Sequence, residues 1–512
     1  MYSDDLTIQH WLTRHAKYKA HKTAIVCGSQ RQTFAELNAN VNQLVHALQQ
    51  SGVCKGDKVA TVLSNSIELW EIYWACAKMG AVAVPLSPLL RGSGLANLID
   101  NADAKLVITD KETAQYVTAV REALTNVPIG NFWLINTSDM IGYRSYHAQK
   151  AKHPVTEPEV KPVTGSDPYN IIYSSGTTGL PKGIVISHAV RALYGSLFAN
   201  SYRMTPESVV MHSGSIIFNG SFLTLMPAMF LGCTYVLQDH FDPQQVITAI
   251  SKESVTHTIL VPSQIIACLQ QPQFSSQSLP SIEYILSVGA PLLLEHKQEL
   301  NKRIPGVFYE LYGLTEGFMT ILDKTDAARK TGSVGYAPSF MEMKICNDSG
   351  EAQPAGVIGE IVGKGPLLMD GYYKNEIQTR ETLRNGWLYT GDLGYVDEDG
   401  FLFLTGRKKD LIISGGVNVY PADIEEVVIK HPAVTDVAVF GVAHCEWGET
   451  PVAAVVVNTG EAEATSIKTW VNDHIDARFQ KIHDIMIVRE LPRNVAGKVL
   501  KRELKEQYEN RK

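Results

Sequence analysis

From residue 20 to residue 290, short apolar runs alternate with amphipathic stretches. TAIVC, KVATVLS, AVAVPL, AKLVITD, NIIYSS, CTYVLQD, HTILV and EYILSVG read as strands, whereas FAELNANVNQLVHALQQSG and the stretch from Trp70 to Met79 read as helices. Such alternation predicts parallel sheets covered by helices. After about residue 330 the pattern shortens to strand-like runs broken by glycine turns (GEIVGKGPLLMDGYY, GFLFLTG), which predicts a small β-rich, barrel-like subdomain. Beyond Arg407, the helix-like PADIEEVVIKHP and ATSIKTWVNDHI accompany the strand-like VTDVAVFGV and TPVAAVVVN, a compact α+β module. The expected class is α/β: a large N-terminal domain over residues 1–406, with two parallel-type α/β subdomains and the small β-barrel-like one, then a small α+β domain over 407–512. The boundary falls in GRKKD, residues 406–410. Ile216 to Leu237 is long enough to suggest a membrane span, but Asn219, Ser221, Pro227 and Gly232 interrupt it, so a buried helix followed by a buried strand is expected.

Composition narrows this picture modestly. With 512 residues, more than one core is expected, and 45% hydrophobic against 19% charged residues describes an ordinary globular chain. A formal charge of −7 speaks against general attraction to nucleic acid. The seven cysteines are scattered, with no CxxC pair and no histidine at ligand spacing, so neither zinc nor a disulfide framework is expected. MYSDDLTIQHW lacks the basic-then-apolar plan of a signal peptide, and a cytoplasmic, reducing setting is the expectation.

Four stretches carry candidate chemistry. In YSSGTTGLPKG, Tyr173 to Gly183, hydroxyls and unobstructed backbone N–H groups are packed densely enough to cradle a polyphosphate, and Lys182 adds positive charge. It is not a GxxxxGK[ST] loop, since Gly183 stands where Ser or Thr would be, and alone it also reads as a surface turn. In YGLTEG, Tyr312 to Gly317, Glu316 would repel a nucleotide unless a divalent cation lay between them, so magnesium is implied; alone the hexapeptide reads as an exposed turn. YTGDLGYVDEDGFLFLTGRKKD places Asp392 and Arg407 in or near tight turns, where both can hydrogen-bond a ribose or simply be solvated. LPRNVAGKVLKREL ends the series with Lys498, a lysine able to bring charge to a phosphate or carboxylate, or part of a solvated basic tail.

Taken in order, with SVGAPL (Ser287–Leu292), SGGVNVYPADIE (Ser414–Glu425) and VAHCEWGE (Val442–Glu449), these stretches resemble the adenylate-forming superfamily of acyl-CoA synthetases, peptide-synthetase adenylation domains and luciferases over nearly the whole chain. The resemblance implies ATP, Mg2+ and coenzyme A. It implies that Ser174, Ser175, Gly176, Thr177, Thr178, Gly179 and Lys182 hold the ATP phosphates, with Glu316 and Thr177 toward magnesium. Gly289, Ala290 and Pro291 would form the adenine platform, Tyr312 its stacking face, and Gly313 and Thr315 the adjoining loop; Asp392 with Arg407 would hold the ribose, and Lys498 would bridge the carboxylate and the α-phosphate. By the same resemblance the C-terminal domain rotates about Lys409. Gly415 and Gly416 would then line a pantetheine tunnel, and Trp447, Phe479 and Lys481 would meet the CoA nucleotide. One departure is visible: the Lys-x-Pro of many relatives reads Gln480-Lys481-Ile482 here.

For the acid, the resemblance points to Ile217, Phe218, Asn219, Val288 and Leu314. Relatives that take α-amino acids carry Asp after the phenylalanine. Asn219 is neutral, and a buried ammonium without a counter-ion is costly, so an amino acid is disfavoured. A medium- or long-chain fatty acid, or another apolar acid, is expected ahead of an aryl acid. The readings are an acyl-CoA synthetase, an adenylating enzyme that loads a carrier protein, and an inert binding protein of the same fold. The last would be expected to have lost Lys182, Glu316, Asp392 or Lys498, and none is lost. A homodimer is left open.

Overall fold

The structure is a computed structural model that describes residues 5–136, 140–174, 182–458, 463–475, 477–493 and 499–511. By contact the chain gathers into two compact units. The first comprises Met1–Thr331, Ala337–Glu342 and Lys364–Leu388, the second Gly332–Tyr336, Met343–Gly363 and Tyr389–Lys512.

The first unit holds two eight-stranded sheets. In one, Phe308–Gly313, Tyr284–Val288, His257–Leu260, Val209–His212, Thr234–Leu237 and Thr23–Cys27 run parallel, closed at the edges by antiparallel Met319–Leu322 and Gln30–Thr33. In the other, Pro168–Ser174, Val82–Leu86, Lys58–Val62, Ala104–Thr109, Phe132–Leu134 and Arg144–Ser145 run parallel, Lys182–Ser187 turns back antiparallel beside Pro168–Ser174, and the short Gly371–Tyr372 pairs antiparallel with Lys182–Ser187 at the edge. The apolar runs thus become central strands, buried because helices cover them.

Helix Phe34–Gln50 starts at a capping box: Thr33 Oγ1 accepts from Glu36 N (3.3 Å) while Thr33 N donates to Glu36 Oε2 (2.8 Å). Helix Ile67–Met79 stops at Gly80, whose φ of +73° suits glycine. The suspicious apolar stretch resolves into helix Phe222–Leu231 and strand Thr234–Leu237. Among the described residues no helix is long and apolar enough to cross a membrane.

In the second unit, strands Glu342–Cys346, Gly359–Lys364, Trp387–Val396 and Leu402–Arg407 lie side by side. A further sheet orders Val417–Val419, Ile412–Ser414, Gly448–Val457 and Val434–His444, with Asp484–Val488 parallel to Gly448–Val457. Ile412, Val419, Ile424, Val428, Val439, Val455, Ile467 and Val471 form the core between this sheet and helices Pro421–Val428 and Ala464–Asp473.

Asp392 and Arg407, expected in or near tight turns, are register partners on adjacent antiparallel strands, and Arg407 leads directly into the short turn Lys408–Asp410. Glycines on either side made the segment look like turns, but the hairpin closes further along, at Asp397–Gly400.

Candidate active site

Parallel strands bind ligands beyond their carboxyl ends, where the loops diverge. In the first sheet that edge collects Gly214–Asn219 after Val209–His212, Val288–Pro291 at the end of Tyr284–Val288, and Tyr312–Gly317 at the end of Phe308–Gly313. Val288 pairs with Leu311, so Gly289 and Tyr312 leave adjacent strands at the same level. Gly289 has a φ of +96°, a bend an L side chain rarely takes. Ala290 and Pro291 follow it, half-buried and exposed respectively.

The Tyr312–Gly317 loop is tied closely. Leu314 N donates to Phe318 O (3.0 Å), Gly317 N donates to Leu314 O (3.0 Å), and Met369 N donates to Glu316 O (2.9 Å). Thr315 lies half-buried within it. At Gly317, φ is +108° and an added Cβ would stand 2.0 Å from Leu367 O, so this backbone approach admits glycine alone. The Glu316 carboxylate is held by a residue sequence reasoning missed: the Tyr372 hydroxyl donates to Glu316 Oε1 (2.8 Å). Burial, and then the nearby Glu316 charge, raise the Tyr372 phenol above its ordinary value, so it stays a donor. The same ring faces Lys182, whose Nζ lies 5.0 Å from the ring centroid. Lys182 opens strand Lys182–Ser187, paired with Ser174 at the end of Pro168–Ser174. Tyr372 therefore connects Glu316 with the lysine of the Gly/Ser/Thr stretch. A half-buried carboxylate with one oxygen anchored and a lysine close by suits a divalent cation shared with phosphate oxygens.

Ser175, Gly176, Thr177, Thr178, Gly179 and Lys498 lie outside the described residues.

The chain leading into Ile217–Asn219 is clamped at Gly214 and Ile216 by Asn65, also missed from sequence. Its Nδ2 donates to Gly214 O (2.6 Å) and Gln238 O (2.8 Å), and its Oδ1 accepts from Ile216 N (2.9 Å). Tyr73 OH donates to Ile216 O (2.9 Å). Ile217 and Asn219 are buried, while Phe218 and Val288 are half-buried. Leu314 is half-buried in the next loop.

In the second unit Arg407 Nε lies 3.2 Å from Asp392 Oδ1, which positions both groups on one hairpin. Lys409 lies in the short turn Lys408–Asp410. Gly415 and Gly416, with φ of +59° and +81°, form the two-residue connection between Ile412–Ser414 and Val417–Val419. A type I′ turn demands that geometry, which gives these glycines a local reason beside any tunnel. Gly415 N donates to Trp447 O (2.7 Å), placing the turn against the indole.

Trp447, Phe479 and Lys481 do come together, around a cleft of about 290 Å³ also lined by Lys468 and Arg478, the latter 5.4 Å from the Trp447 ring centroid. Two cations there were not foreseen, because neither Lys468 nor Arg478 belongs to a recognisable motif. The departure at Ile482 has a structural cause: its N–H donates to Asn472 Oδ1 (2.7 Å), a bond proline cannot make, and its side chain lies in the core.

Two largely parallel sheets, with Glu316 and Lys182 brought to one tyrosine beside the loops at a carboxyl edge, fit a nucleotide-using α/β enzyme. The chain belongs to the AMP-binding enzyme family, whose model matches residues 12–373, followed by the AMP-binding enzyme C-terminal domain at residues 423–498. It is an AMP-forming acid–thiol ligase, a class that uses ATP, Mg2+ and coenzyme A. It is 33% identical over 483 residues to the long-chain-fatty-acid–CoA ligase FadD13 of Mycobacterium tuberculosis, covering 93% of each chain. It is 31% identical to the indoleacetate–CoA ligase of Aromatoleum aromaticum, covering 98% of each. Among solved structures, ATP-bound MatB from Rhodopseudomonas palustris superposes with a TM-score of 0.89 at 28% identity, over 98% of this chain and 99% of that one.

Proposed function

We propose that the chain converts an acid with an apolar body, a medium- or long-chain fatty acid or another apolar acid, into its acyl-CoA, in a cytoplasmic setting. The observation that carries the substrate class is the segment at the carboxyl edge of the first sheet. Ile217, Phe218 and Val288 are apolar, and Asn219 Oδ1 is occupied by Arg191 Nη2 (2.9 Å), so an α-ammonium would find no counter-ion there. Relatives named for long-chain fatty acids and for indoleacetate are compatible with either an aliphatic or an aryl body.

In this reading the acid's carboxylate attacks the α-phosphorus and pyrophosphate leaves; the thiol of coenzyme A then attacks the acyl carbon and AMP leaves. Displacement between anions needs charge neutralisation above all. Magnesium, when bound, supplies part of it beside Glu316 and Thr177. Lys182 and the stretch Ser174–Gly179 hold the phosphates, and Lys498 bridges carboxylate and α-phosphate. Gly289–Pro291 and Tyr312–Gly313 receive the adenine, and Asp392 with Arg407 the ribose. Residues 407–512 act as a mobile module pivoting at Lys409. The cleft of Trp447, Phe479 and Lys481 takes the CoA nucleotide: an indole to stack on the base, and Lys468, Arg478 and Lys481 to meet its phosphates. Loading of a carrier protein is the competing reading for the second step, because the Lys-x-Pro pattern is broken at Ile482.

The test is AMP release from a panel of fatty, aryl and amino acids, with CoA or with a holo-carrier protein. AMP release with amino acids alone would overturn the substrate class, and turnover with the carrier but not CoA would overturn the acceptor. Lys498→Ala is expected to lose ~100-fold or more in pyrophosphate exchange, and wild-type exchange in that variant would refute its role.

A further inference from the structure

Arg191 is 0% exposed, in helix His188–Ser201. Its Nε and Nη2 donate to Asn170 Oδ1 (3.3 and 3.2 Å), and Nη2 also donates to Asn219 Oδ1 (2.9 Å). Nη1 has no partner. Around the guanidinium stand rings, with Phe222 at 4.1 Å and Tyr194 at 5.0 Å from Cζ to centroid. Burial pulls the guanidinium down to about 10, opposed only by the Tyr194, Tyr169 and Tyr73 hydroxyls, and among the described residues it forms no ion pair. A buried cation without an anion is costly in general.

Among the described residues Asn170 Nδ2 has no partner, and the Tyr194 hydroxyl meets only the Asn219 amide, which donates to it and leaves its own proton to give. Arginine has no acceptor, so Asn170 and Asn219 must turn their carbonyl oxygens toward it. What remains unspent is therefore a set of donors: guanidinium N–H, amide NH2 and a phenol O–H. Asn170 lies on strand Pro168–Ser174, four residues before Ser174, roughly 13 Å along the strand from the phosphate stretch. Asn219, 8% exposed, belongs to the segment assigned to the acid.

We propose that Arg191, Asn170, Asn219 and Tyr194 form a donor-lined subsite beside the acyl group, which receives an acceptor oxygen (ketone, phenolic or second carboxylate) on the body of the acid. The proposal rests on the reading that Ile217–Asn219 border the acyl group. It narrows the substrate from any apolar acid to an oxygenated one, because a site built to hydrogen-bond a substrate rejects the analogue that lacks the group.

The test compares kcat/KM for AMP release in the presence of CoA, using matched acids on the full chain. One series is octanoate, oxo-octanoates with the ketone moved along the chain, and octanedioate; the other is 3-phenylpropanoate against 3-(4-hydroxyphenyl)propanoate. At least one oxygenated acid is expected to exceed its parent tenfold or more. Arg191→Met is expected to collapse that ratio toward one while the parent acid is still turned over. Parent acids equal to or better than every oxygenated partner in the wild type would overturn the proposal and leave the ligase reading standing, even if Arg191→Met fails to fold. No AMP release from any acid would overturn both.

Discussion

Replacing Tyr372 with phenylalanine removes one oxygen and isolates how Glu316 is held. The hydroxyl donates to Glu316 Oε1 at 2.8 Å, a hydrogen bond to a charged acceptor, in general worth about 1.5–3 kcal/mol. Glu316 is half-buried, so water can partly replace the lost donor, and the low end of that range applies. About 1.5–2 kcal/mol corresponds to a ~10- to 30-fold loss. The loop itself should stay folded, because Met369 N still donates to Glu316 O at 2.9 Å and Gly317 N to Leu314 O. The ring that faces Lys182 is also retained. The loss is therefore expected in pyrophosphate exchange, with a higher Mg2+ concentration needed for half-maximal rate, while thioester formation from pre-made acyl-adenylate and CoA continues at the wild-type rate. Thermal melting should move little. Unchanged exchange, or equal losses in the two half-reactions, would refute the claim that Tyr372 positions the carboxylate.

Gly317→Ala would place Cβ against backbone that cannot yield, at a φ of +108°, so a stability loss of about 3 kcal/mol or more is expected from denaturant midpoints. Gly306→Ala, at a φ of +71° with open space, should cost only about 1–2 kcal/mol; equal losses would remove the steric explanation. His188 is fully buried with both ring nitrogens unpartnered among the described residues, and burial lowers its pKa from 6.5 to about 3. The unfolded chain takes up a proton below pH 6.5 and the folded one does not, so this group subtracts stability as pH falls, by about 2 kcal/mol at pH 5, which is 1.5 units below 6.5. His188→Leu should flatten that part of the stability–pH curve between pH 7 and 5, and an unchanged slope would contradict it. Trp447→Ala should raise KM for CoA roughly 5- to 100-fold, the usual range for loss of one base–aromatic stack, without altering pyrophosphate exchange; an unchanged KM would remove the nucleotide from that cleft.

Much of the fold was legible because its signals are local. Runs such as AKLVITD and HTILV became central parallel strands, and Phe34–Gln50 could be read from its amphipathic spacing. The candidate site was legible where chemistry is concentrated in one stretch, as in Tyr312–Gly317, whose glycine the backbone requires. It was illegible where a partner arrives from elsewhere. Tyr372 stands 56 residues from the Glu316 it holds, and Asn65 stands 151 residues from the Ile216 it clamps; each is an ordinary polar residue in its own neighbourhood. For Asp392 and Arg407 the neighbouring glycines showed the nearby turns but not that the two residues face each other on paired strands.

What the linear order of residues determined by itself was the periodicity that selects strand or helix, and the local chemistry of hydroxyls, glycines and charges able to meet a nucleotide. Only the tertiary structure decided that Arg191, Asn170 and Asn219 share one buried cluster, and that the cations beside Trp447 number more than one. The reason is physical: periodicity acts over a few neighbouring residues, whereas a hydrogen bond depends on distance in space, which is set by how whole sheets and helices pack.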